Sequence, residues 1–186
     1  MGDKIKVWTR QNEAILDILE KEGRYIVKEE YIVEKMEDCS KFYLDVYKWY
    51  TKKAQKIVPK PQDVHYPIWI SLDTNFMLQP VTGNVVLELL IDEDLLITMD
   101  VEKWGRIVNY WYVPKNREDE AEHDKLLEKY GLCDDSSIYM SNFYPHLKRE
   151  LIESWDRLFD HTYNLSDARQ GTLWEVKKEW IVNIIK

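Results

Sequence analysis

The stretch Asn84–Tyr112, NVVLELLIDEDLLITMDVEKWGRIVNYWY, decides how the fold is read. Val85–Ile91 is almost wholly apolar, and a short run of that kind suits a strand covered on both faces. Asp92, Glu93 and Asp94 break the run, and Leu95–Met99 resumes it as a second short strand. Asp100 stands where a helix N-cap belongs. Beyond it Trp104, Ile107, Val108 and Trp111 recur at i, i+3, i+4 and i+7, which predicts an amphipathic helix with those four on its buried side. Strand, acidic turn, strand and capped helix in succession place part of a core in one segment.

Working outward, Lys4–Thr9 alternates Ile5, Val7 and Thr9 with Lys4, Lys6 and Trp8, the period of a half-buried strand. Asn12 is placed to start a helix with Ile15, Ile18 and Leu19 as its apolar stripe, and Gly23 supplies the stop. Arg24–Val27 reads as a short extended segment, while the charged Lys28–Asp38 has no clear period. From Ser40 a helix is predicted with Phe42, Val46, Trp49, Tyr50 and Ile57 on one face, ended by Pro59-Lys60-Pro61. His65–Leu72 reads as a strand entered through Pro67, and Asp73–Gly83 as a loop. Past Pro114, Leu126, Leu127 and Tyr130 anchor a helix that Gly131 stops. Leu132–Asn142 is irregular. Pro145 opens another helix with Leu147, Leu151, Trp155, Leu158 and Phe159 buried. Thr172–Val176 and Trp180–Ile185, with a break at Lys177-Lys178, close the chain as two strands or as one strand with a bulge. Strands and helices mix without a strict βαβ rhythm. The class expected is α+β, one compact domain over residues 1–186, with a mixed or antiparallel sheet and several packed helices.

At 186 residues and 22.5 kDa, one core can bury roughly 70% of the unfolded surface. Eight Trp and twelve Tyr against six Gly point to bulky packing, with some polar-tipped rings left to line a concave surface. A formal net charge of −8 argues against broad electrostatic binding to nucleic acid or to anionic membranes, while leaving room for a local basic patch. Cys39 and Cys133 form neither a disulfide framework nor a zinc spacing, so a reducing cytoplasm is the natural compartment. The start MGDKIKVWTR lacks the apolar core of a signal peptide, and no apolar run reaches membrane-spanning length.

Glycine-rich phosphate loops, nucleophile elbows and H-E-x-x-H are absent. Glu120-x-x-His123 has the spacing of half a carboxylate-bridged metal site, but it has no second copy and lies in the charged run Arg117–Lys125, which reads as a solvated helix face. His65, His146 and His161 are isolated, so no metal is expected. Cys133, beside Asp134 and Asp135, is a poor nucleophile. Polar residues at the ends of apolar strands remain: Thr9, Gln11, Ser71, Asp73 and Gln170. Glu88, inside the apolar run, must be paired, neutralised or turned to solvent.

The segments VWTRQ (7–11), YPIW (66–69), VVLELLID (85–92), the helix start Asp100–Trp104, ESWDRLFD (153–160) and QGTLWEVKKEWI (170–181) together resemble a bacterial family catalogued as domain of unknown function 3841. The likeness extends over nearly the whole chain and implies no activity. A second, partial resemblance is to the ADP-ribosyltransferase superfamily. In that family a first strand with a short polar motif is followed by a helix and a glycine, then an aromatic-plus-hydroxyl strand, then a late strand whose Glu or Gln grips the nicotinamide ribose. VWTRQ, the helix to Gly23, YPIWIS and QGTLWEV fall in that order. The resemblance implies NAD as cofactor, contacts to its ribose from Thr9 and Gln11, stacking on nicotinamide by Tyr66 or Trp69, and orientation of the ribose hydroxyl by Gln170 or Glu175 as catalytic residues. The first strand here carries no His, and Glu175 has the opposite alternation parity to Gln170.

Two functions follow as expectations. One is an intracellular ADP-ribosyltransferase-like protein whose polar residues converge on an NAD cleft. The other is a non-enzymatic interaction module with an acidic, aromatic-rich surface for a basic protein partner, as in toxin–antitoxin or defence systems, with Thr9, Gln11 and Gln170 scattered.

Overall fold

The structure, a computed structural model, describes residues 2–186. In chain order the elements are β1 (Lys4–Asn12), α1 (Ile15–Glu22), β2 (Arg24–Tyr25), α2 (Glu29–Met36), α3 (Ser40–Ala54), β3 (Ile68–Ser71), β4 (Asn84–Asp92) and β5 (Ile97–Asp100). There follow α4 (Val101–Val108), α5 (Arg117–Tyr130), α6 (Asp135–Met140), α7 (Pro145–Ser154), β6 (Arg169–Leu173), β7 (Val176–Lys177) and β8 (Ile181–Ile185). Six strands form a sheet in the order β5-β6-β3-β1-β4-β8, and β2 pairs with β7. The pairs β1–β3, β1–β4, β3–β6 and β4–β8 are all antiparallel. The fold is α+β, and the chain divides into two compact units, 1–98 with 170–186, and 99–169.

In the first unit the apolar run of the organising stretch becomes β4, paired with β1 along its whole length from Lys4–Asp92 to Asn12–Asn84. Val85, Leu87, Leu89 and Ile91 are buried and pack with Val7, Ile68, Ile70 and Leu173 against Ile15 and Leu19 of α1. Each fully buried aliphatic side chain contributes about 1.5–3 kcal/mol, so this face sets the register. On the other face Glu88 takes the paired solution: its carboxylate lies 2.8 Å from Lys6 Nζ on the neighbouring strand. That ion pair, helped by Asn183, holds the Glu88 carboxyl below its ordinary range. Gly23 ends α1 in the left-handed region at φ 73°, where glycine carries no steric cost. The charged segment without a clear period is helical, as α2. Along α3 the buried residues are Leu44, Val46, Tyr47, Tyr50, Thr51 and Ala54. Phe42 is exposed and Ile57 lies exposed beyond the helix end, so the buried face is rotated from the one predicted.

The second unit opens on the helix cap. Asp100 Oδ1 accepts from the N–H groups of Glu102 and Lys103 at 2.8 and 3.3 Å. Oδ2 accepts from Leu165 and Ser166 at 2.7 and 2.9 Å, and Arg169 lies 3.3 Å away. The predicted stripe of α4 is corrected here. Its buried residues are Lys103 and Ile107, Trp104 is only half-buried, and Trp111 is exposed beyond the helix. The helix ends because Tyr110 adopts φ 60°, a left-handed backbone that breaks the helical phase. Lys103 compensates for its burial by donating from Nζ to the carbonyls of Arg157 (2.9 Å) and Asp160 (2.6 Å). Pro145 opens α7, whose Leu147 and Leu151 are buried as predicted, while Phe159 is only half-buried. Leu147 and Leu151 cluster with Ile138 of α6, which lies in the stretch read as irregular. Among the described residues no helix is long and apolar enough to cross a membrane.

Candidate binding cleft

β1 pairs with β3 at one position only, Trp8 opposite Ser71. Where that ladder stops, the Thr9 hydroxyl donates to the Trp69 carbonyl at 2.9 Å and in turn accepts from the Gln11 amide at 2.8 Å. On the far side of β3 the pairing is regular, with Ser71 opposite Gln170 and Trp69 opposite Thr172. A cleft of about 270 Å³ opens at this place, and Thr9, Gln11, Trp69, Ser71 and Gln170 all line it. Three segments distant in sequence are thus brought to one wall by strand order.

Trp69 is fixed from beneath. Its ring centroid lies 5.7 Å from both Tyr47 and Tyr50, and its indole N–H donates to the Tyr47 hydroxyl at 3.2 Å. Tyr50 is in turn hydrogen-bonded to Thr172 at 2.6 Å. Burial pushes the Tyr47 hydroxyl up to about 12 against the opposing pull of the Trp69 hydrogen bond, so it stays a neutral donor and acceptor. Trp69 is thus a half-buried, immobilised aromatic side chain in the cleft lining, the kind of group on which a planar ring can pack. The Gln170 amide makes only a long 3.5 Å contact to the Ile70 carbonyl, which leaves most of its hydrogen-bonding capacity for a ligand.

Sequence reasoning missed the rest of the lining. It includes Tyr25, Tyr31, Lys35 and Phe76, drawn from β2, from α2 and from the segment after β3. Arg10, a neighbour of two residues it did single out, also lines the cleft and donates to the Gln79 carbonyl at 3.2 Å. Among the described residues of the lining, Arg10 and Lys35 are the charged ones and none is a carboxylate. In a chain of net charge −8 this makes the cleft locally cationic.

Two residues named from the sequence lie elsewhere. Tyr66 lines a separate hollow with His65 and Lys48, and its hydroxyl donates to Glu29. Glu175 follows the end of β6 and is held by Arg24 at 2.7 Å and Lys177 at 3.5 Å. The chain bends at Trp174, so Glu175 is outside the strand that carries Gln170, and it does not line the cleft.

The solvated-face reading of Glu120 and His123 is corrected as well. Glu120 pairs with Arg106 at 2.5 Å. His123 is largely buried, meets Asp135 at 2.5 Å and stacks on Tyr112 with centroids 4.0 Å apart. Among the described residues no three His, Cys, Asp or Glu side chains gather as a metal site, and both cysteines are free and exposed.

The fold and the cleft together define an α+β protein with an aromatic, amide-lined and locally cationic recess beside a broken strand pair. The model of the family described as domain of unknown function 3841 matches residues 6–182, and the chain belongs to that family. No curated protein and no solved structure matches it.

Proposed function

We propose that the cleft binds a nicotinamide nucleotide, as in an ADP-ribosyltransferase-like NAD site. The observation that carries this reading is the convergence of Thr9, Gln11, Trp69 and Gln170 on one recess, where an interaction module would leave them dispersed. Trp69 offers the stacking face for the nicotinamide ring. The Gln11 and Gln170 amides and the Ser71 hydroxyl suit a carboxamide and ribose hydroxyls. Arg10 and Lys35 suit phosphate oxygens. Ribosyl transfer builds positive charge at the ribose, which a carboxylate best stabilises. With Glu175 engaged by Arg24 and Lys177, the lining is better matched to binding and orienting NAD than to driving transfer.

Calorimetric titration with NAD tests the reading. Micromolar binding is expected, and Trp69→Ala or Gln170→Ala should abolish it. The long hydrogen bond of Gln170 makes it nearly dispensable for folding, so Gln170→Ala should shift Tm by no more than about 2–4 °C, the equivalent of about 1 kcal/mol. Absence of heat up to millimolar NAD would overturn the reading. A fall of many degrees with Gln170→Ala would make that residue structural.

A further inference from the structure

A second cavity, of about 380 Å³, adjoins the cleft, and the two share Gln11, Tyr25, Tyr31 and Lys35 in their linings. Tyr25 and Tyr31, which line both cavities, lie nearly parallel, 6° apart with centroids separated by 6.3 Å. The second cavity differs in chemistry from the first. Ala14, Ile15 and Ile18 of the α1 segment give it an apolar lining, to which Asn12 and Glu34 add polar groups. The cleft holds two cations and no carboxylate, while the second cavity adds one carboxylate to the shared Lys35.

We propose that the two cavities are halves of one site for a dinucleotide, with the second cavity taking an amine-bearing purine. This rests on the nicotinamide-nucleotide reading of the cleft. Each cavity is about the size of one planar group with its sugar, and together they fall within the roughly 300–1,000 Å³ of ordinary ligand pockets. Lys35 and Gln11 line both cavities, so they are placed to meet the anionic bridge of a ligand that runs from one to the other. The apolar side chains accept a flat ring, and the Glu34 carboxylate is an acceptor for an exocyclic amine, joined by the second lone pair of Asn12 Oδ1, whose first accepts from the Ala14 N–H at 2.9 Å. Adenine has such a donor, and hypoxanthine presents a carbonyl oxygen in its place.

The test is titration of the full chain with three probes: nicotinamide mononucleotide, NAD, and the dinucleotide with hypoxanthine for adenine. NAD should bind on the order of 100-fold more tightly than the mononucleotide, since the tethered second half binds at high effective concentration. The hypoxanthine form should be about 10-fold weaker than NAD, and Glu34→Ala should erase that difference. Ala14→Trp should fill the second cavity and bring NAD down to the mononucleotide's affinity while the mononucleotide itself is unaffected. Ala14 is exposed with φ −58° and ψ −17°, so the larger side chain meets no backbone strain, and Ile18→Phe is an independent second block. Equal affinity for NAD and the mononucleotide, or a preference for NAD that survives both blocking variants, would overturn the spanning site. Silence from the mononucleotide would remove the reading of the cleft and the spanning site with it.

Discussion

Asp100→Ala is expected to lower the unfolding free energy by about 3–5 kcal/mol, the usual cost of removing one partner from a buried ion pair. The side chain is 1% exposed, and its two oxygens serve four backbone N–H groups as well as Arg169. Truncation orphans the first turn of α4 and the Leu165–Ser166 backbone in one step, and buried unpaired donors are costly. Asp100→Asn keeps an acceptor and loses the charge, so it should fall between wild type and Ala. A pH dependence follows from the same geometry. Burial pushes the Asp100 carboxyl up, but the N–H groups of Ser166, Lys103, Leu165 and Glu102 outweigh it, and the net result lies below the ordinary carboxylate range. A depressed folded-state value means the stabilisation is complete above the unfolded-state pKa of about 3.9 and is lost as pH falls through the folded value. Urea titrations at pH 7 and pH 3 should therefore show wild type losing more stability on acidification than Asp100→Asn. Equal losses would deny Asp100 that role.

Trp155→Ala should cost about 3–5 kcal/mol by opening a cavity. Trp155 is 1% exposed, lies in a stack with Tyr139 (5.6 Å) and Tyr110 (6.3 Å), and donates its indole N–H to the Trp111 carbonyl at 2.9 Å. Trp155→Phe retains a ring and forfeits that hydrogen bond, so its loss should be clearly smaller. Trp104→Ala, at a half-buried site, should also cost less. Denaturant midpoints for the three variants give the order, and Trp104→Ala matching Trp155→Ala would contradict the packing described for the second unit.

Local chemistry made several elements legible in the sequence. The run Val85–Ile91, the Asp100 cap, the stops at Gly23 and Gly131 and the start at Pro145 each depend on neighbours within a few residues. Lys103 was not legible, because its carbonyl partners lie 54 and 57 residues away and a lone lysine reads as surface. The i+7 spacing puts Trp111 on the helix face, since nothing in the pattern reveals the left-handed turn at Tyr110. Half of the cleft wall was visible as polar residues at strand ends: Thr9, Gln11 and Gln170, with Trp69 beside them. The other half was not, since Tyr31 and Lys35 sit on a charged helix with weak periodicity, and Tyr25 on a strand of two residues. The resemblance pairs Tyr66 with Trp69, but Tyr66 sits before β3 in an isolated bridge to Val27, and its hydroxyl is directed to Glu29.

The seating of Lys103 has a consequence for covalent chemistry. Its amine is enclosed and tied to two carbonyls, whereas Lys48 and Lys52 of α3 stand in solvent. An acylating reagent should modify the α3 lysines at once and reach Lys103 only when the second unit opens. The time course of labelling at that one position, followed by peptide mass spectrometry, then becomes a clock for opening of residues 99–169. Asp100→Ala should make that clock run faster.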